Sequence, residues 1–79
     1  MMDINQYTLR DLFAQLGLAN SKADIRRFVA QHPLAASVSL TKAPFWNHAQ
    51  AMFMQEAWRE DADWCGAIDE LNNLLHQPH

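Results

Sequence analysis

The chain has 79 residues, a single cysteine and a net charge of −3. That length suits one domain, and the lone Cys65 excludes an internal disulfide and points to a reducing compartment. Apolar residues at 49% and charged residues at 19% exclude a disordered chain, and the negative balance disfavours bulk attraction to nucleic acid or anionic membrane.

The first residues, Met1 to Thr8, are polar around Asp3 and lack the basic start and apolar stretch of a signal peptide. The longest apolar runs, such as Ala51-Met52-Phe53-Met54, are too short to span a bilayer. A cytoplasmic protein is therefore expected, with residues 1–79 as one helical domain ordered from about Tyr7 to Leu75.

A first helix is predicted from about Leu9 to Leu16. Thr8 is its N-cap, Asp11 sits near the positive dipole end, and Tyr7 is placed to staple onto Leu12. Leu9, Leu12, Phe13 and Leu16 share one face, and Gly17 supplies a left-handed stop. A second helix follows from about Lys22 to Gln31, capped by Ser21 and stopped by Pro33. Its apolar face is Ile25, Phe28 and Val29, continued by His32.

Leu34 to Trp46 alternates around Val38 and Leu40 in a strand-like way, but is too short and isolated for a sheet. It is read as an extended crossover whose apolar residues, with Phe45 and Trp46, tuck onto the helices. A third helix runs from about His48 to Arg59, with Asn47 and Gln50 forming a capping box. Its apolar residues cover most of its circumference, which marks a helix central to the fold or buried at an interface. A fourth helix, about Ala62 to Leu75, is capped by Asp61 and carries a seam of Trp64, Ile68, Leu71 and Leu75. The short join makes helices three and four an antiparallel hairpin.

The fold class is thus all-α: a small four-helix domain with an extended crossover between helices two and three. Its expected core is Leu9, Leu12, Phe13, Leu16, Ile25, Phe28, Val29, Phe45, Phe53, Trp64, Ile68, Leu71 and Leu75.

Three blocks then acquire a meaning together. They are Leu12-Phe13-Ala14-Gln15-Leu16-Gly17-Leu18, Ala43-Pro44-Phe45-Trp46, and Glu60-Asp61-Ala62-Asp63-Trp64 followed by Asp69-Glu70-Leu71-Asn72. Spanning roughly Tyr7 to Leu75, they resemble a small bacterial family known as domain of unknown function 2789. The resemblance implies a bacterial, cytosolic, helical protein and brings no catalytic residues with it.

Site chemistry is sparse. His32, His48, His76, His79 and Cys65 lack the paired spacing of a zinc site, and His32 suits a helix C-terminus. Glu60, Asp61 and Asp63 form an acidic knot at a helix junction, where caps require acids. Cys65 lies beside acids, which oppose a thiolate, and no glycine-rich phosphate loop is present. No catalytic residue, cofactor or metal is expected.

Charge is uneven. Residues 1–44 carry five basic and three acidic side chains, and residues 45–79 carry one basic and six acidic. The first two helices superficially suggest a helix-turn-helix, but four residues, Leu18 to Ser21, separate Gly17 from helix two. Two functional readings stand. The first is a small cytosolic accessory or protein-interaction domain without catalytic activity. It is expected to form a homodimer through Ala51, Met54 and Trp58 on the outer face of helix three. The alternative is nucleic-acid binding through Lys22, Arg26 and Arg27 of helix two.

Overall fold

Local signals near each helix start govern where the chain turns. A computed structural model describes residues 7–77. It contains α1 (Leu9–Gln15), α2 (Lys22–Gln31), a short 3-10 turn (Leu40–Lys42), α3 (His48–Glu60) and α4 (Ala62–His76). The described residues form no strand.

Each helix begins on the cap its sequence provides. At α1 the Asp11 N–H donates to Thr8 Oγ1 at 3.2 Å, while the Thr8 N–H donates to Asp11 Oδ2 at 2.8 Å. These reciprocal bonds satisfy two donors that the first helical turn leaves unpaired. The Thr8 N–H, then the Thr8 hydroxyl, and more weakly Arg10, hold the Asp11 carboxyl below its ordinary pKa. At α2 the Asp24 N–H donates to Ser21 Oγ at 3.1 Å. At α3 the predicted box closes: Gln50 N–H donates to Asn47 Oδ1 at 2.7 Å and Asn47 N–H to Gln50 Oε1 at 2.9 Å.

Helix α1 stops at Gly17, whose φ of 78° lies in the left-handed region. The Leu18 N–H donates to the Phe13 carbonyl at 2.8 Å and the Gly17 N–H to the Ala14 carbonyl at 3.0 Å, a Schellman closure. Asp61 serves two helices. Its N–H donates to Ala57 at the end of α3, and its Oδ1 accepts from the Asp63 N–H at the start of α4.

Helix α4 is central: α1, α2 and α3 all pack against it, and the 3-10 turn packs on α3. Its predicted seam of Trp64, Ile68, Leu71 and Leu75 is buried. Leu12, Phe13, Leu16, Ile25 and Val29 are buried with it, while Leu9, Phe28, Phe45 and Phe53 are half-buried against that core. Leu40, Ala43, Trp46, Met54, Ala57 and Ala67 complete the core beyond the expected set.

The crossover forms no strand. Leu40 instead opens the 3-10 turn and is fully buried, and the Trp46 Nε1–H donates to the Leu40 carbonyl at 2.9 Å. Phe28 and His32 of the α2 end gather with Phe45 and Trp46 of the crossover into an aromatic cluster. Tyr7, expected to staple onto Leu12, stacks on Trp64 with ring centroids 4.0 Å apart, and its N–H donates to the Asp63 carbonyl. The start of the described chain is thereby fastened to the first turn of α4.

Candidate docking groove

A concave surface lies where α1, α2 and α4 meet. It is a trough of ≈ 880 Å³. Its apolar lining comes from Leu9 of α1, Ile25, Val29 and Ala30 of α2, and Leu74 of α4. Arg10, Lys22 and Arg26 stand on the α1–α2 side, and Glu70 stands on α4.

The sequence builds this rim in two steps. Lys22 and Arg26 are four residues apart on α2, which puts them on one helix face beside Ile25 and Val29. Arg10 is held by a reciprocal lock: its Nε–H donates to the Asn20 carbonyl at 3.1 Å, and Asn20 Nδ2–H donates to the Arg10 carbonyl at 3.3 Å. That lock joins α1 to the loop before α2. Among the described residues, none of Arg10, Lys22, Arg26 and Glu70 forms an ion pair. Asp11 also lines the trough, but its carboxylate already accepts both donors of Thr8.

The residues singled out from sequence fall elsewhere or divide. Met54 is 0% exposed. This corrects its assignment to an outer face of α3: the 3-10 turn closes over α3, so Met54 is core. Ala51 and Trp58 are half-buried against that core. The Cys65 thiol donates to the Trp58 carbonyl at 3.1 Å, which accounts for it as a packed group. Met52, 39% exposed, is the large apolar residue that α3 does present to solvent.

Lys22 and Arg26 stand together on the trough, but Arg27 does not line it and instead pairs with Asp24 at 3.4 Å. Of the histidines, His32 caps α2, with Nδ1–H donating to the Phe28 carbonyl at 2.8 Å. His76 contacts two backbone carbonyls, His48 is exposed, and His79 lies outside the described residues. Among the described residues no three His, Cys, Asp or Glu side chains gather as a metal site. No helix among them is long and apolar enough to cross a membrane.

Sequence reading missed the trough because Leu9, Ile25 and Val29 looked like ordinary core. One signal was available. Leu74 lies off the α4 seam, one turn beyond Glu70, so it was an apolar residue without an assigned partner.

The family described as protein of unknown function (DUF2789) matches residues 2–75. The chain belongs to that family. Its fold also matches the solution NMR structure of protein CV0237 from Chromobacterium violaceum, at 48% identity and a TM-score of 0.82, over 90% of each chain. No curated protein matches the chain. This DUF2789 chain is an all-α, four-helix domain with a long loop and a 3-10 turn between its second and third helices.

Proposed function

We propose that this DUF2789 protein is a small, non-catalytic bacterial interaction domain of the cytoplasm, and that it receives a protein partner in the trough between α1, α2 and α4. The observation that carries this reading is the trough itself. It joins an apolar lining to cations that have no ion-pair partner among the described residues. Interfaces commonly combine an apolar centre with a polar rim. The acidic junction supports the non-catalytic reading, since Asp61 is occupied as a helix cap and Glu60 contacts Arg59 at 3.3 Å in solvent.

Photocrosslinking in the native cell tests this. A benzoylphenylalanine placed at Ala30, an exposed position lining the trough, yields an adduct of defined mass. The same residue placed at Ala36, exposed on the crossover, does not. No adduct at Ala30, or equal adducts at both positions, contradicts the reading.

A further inference from the structure

The helices themselves restrict what the trough can receive. Their backbone donors and acceptors are spent internally, and the described residues offer no strand edge for an extended peptide to join. Recognition therefore falls to side chains: half-buried Leu9 and Leu74 flank the nearly covered Ile25 and Val29, with cations along one side. The trough is open to solvent, a shape that suits a rod laid along it better than a ligand enclosed within it.

Charge decides the rod's chemistry. Arg10, Lys22 and Arg26 sit on the α1–α2 side without ion-pair partners among the described residues, and Glu70 faces them from α4. A phosphate backbone would meet Glu70 and Asp11 as well as the cations, in a chain of net charge −3. A helix can sort its charges by face, and a phosphate chain cannot.

We infer that the trough binds an amphipathic helix of a partner protein. Its apolar stripe lies on half-buried Leu9 and Leu74 and on the small exposed remainder of Ile25 and Val29, and its acidic flank lies against Lys22 and Arg26. This inference rests on the docking reading above and names the partner's chemistry. Residues spaced i, i+3, i+4 and i+7 supply the stripe, as in other helix-in-groove complexes. Glutamates on the flank beside α2 complement the cations and fix the orientation.

The test uses the full chain labelled with ¹⁵N and three peptides of about 18 residues, long enough to sustain a helix. The first carries a leucine stripe with a glutamate flank, the second has lysine for glutamate, and the third scrambles the first. The acidic helix is expected to shift the amides of Ile25, Val29 and Leu74 and to bind at least ~10-fold more tightly than the other two, with the preference weakening as salt rises. Lys22→Glu with Arg26→Glu is expected to reverse the preference toward the lysine peptide, while circular dichroism shows unchanged helicity.

Equal binding of the scrambled peptide, or no binding of the acidic one, overturns the inference. So does saturation of the same amides by decanoate or duplex DNA alone, or their concentration-dependent shift without any probe, which marks a second copy as occupant. A crosslinked partner at Ala30 combined with peptide failure removes this inference and leaves the docking reading standing. Absence of the crosslink removes the docking reading.

Discussion

His76 Nε2 lies 2.7 Å from the carbonyl oxygen of Val38, joining the last turn of α4 to the crossover. The other ring nitrogen, Nδ1, lies 2.7 Å from the Asn72 carbonyl oxygen within α4. Both partners only accept, so each bond needs a ring N–H. A neighbouring backbone bond, Leu34 N–H to the Leu75 carbonyl at 2.8 Å, reinforces the same junction. The crossover is thus tied down at the end of α4.

Replacing that ring breaks the tie. His76→Ala should cost about 1 kcal/mol, the usual net worth of an intramolecular hydrogen bond. Amide exchange at Leu34 and Val38 should accelerate, while exchange in α1 stays near wild type. Uniform acceleration over all four helices would show that His76 supports the whole domain and not this junction.

The two glycines predict effects of opposite sign. Gly66 lies inside α4, is exposed, and a Cβ there would meet nothing within 4 Å. Gly66→Ala should therefore stabilise by roughly 1 kcal/mol through helix propensity. Gly17 also has open space around it, but its φ is +78°. Gly17→Ala should destabilise by about 1 kcal/mol through backbone strain. Urea unfolding of both variants checks the pair; a shift of the same sign in both contradicts the account.

Two methionines of α3 separate core from surface. Met54→Ala should lose about 2–5 kcal/mol, the usual cost of emptying a buried site. Met52→Ala, at a partly exposed position, should stay within about 0.5 kcal/mol of wild type. If Met54→Ala instead kept full stability and altered only association, Met54 would belong to an interface after all.

Acid should weaken the start of α1. The Asp11 pKa is lowered in the folded state, chiefly by the Thr8 N–H and then by its hydroxyl. A depressed carboxyl contributes stability that is fully present above its unfolded pKa and lost as pH falls through the folded value. Stability measured by urea from pH 6 downward should fall less steeply in Asp11→Asn than in wild type. Identical acid limbs would mean that the box contributes nothing to pH dependence.

How much of this was legible in the sequence depended on how far apart the partners lie. Thr8 with Asp11, Ser21 with Asp24, and Asn47 with Gln50 are three residues apart, so the helix starts could be read directly. The α4 seam was legible for the same reason, since helical period alone places its four members together. Met54 was not, because α3 is apolar around most of its circumference and its buried side depends on where Leu40 and Trp46 settle. The His76–Val38 bond spans 38 residues, beyond any local pattern. The trough required Glu70 and Leu74 of α4 to stand beside Lys22 and Ile25 of α2, a juxtaposition that only the packed helices create.

The central claim, that this trough receives a partner through the cations along its side, is tested most directly by combining charge reversal with crosslinking at Ala30. Lys22→Glu with Arg26→Glu alters exposed side chains and should leave stability within about 0.5 kcal/mol of wild type. In that background the Ala30 adduct should fall by ~10-fold or more, equivalent to losing about 1.4 kcal/mol of binding. An undiminished adduct from a stably folded double variant would show that the cations beside the trough play no part in docking.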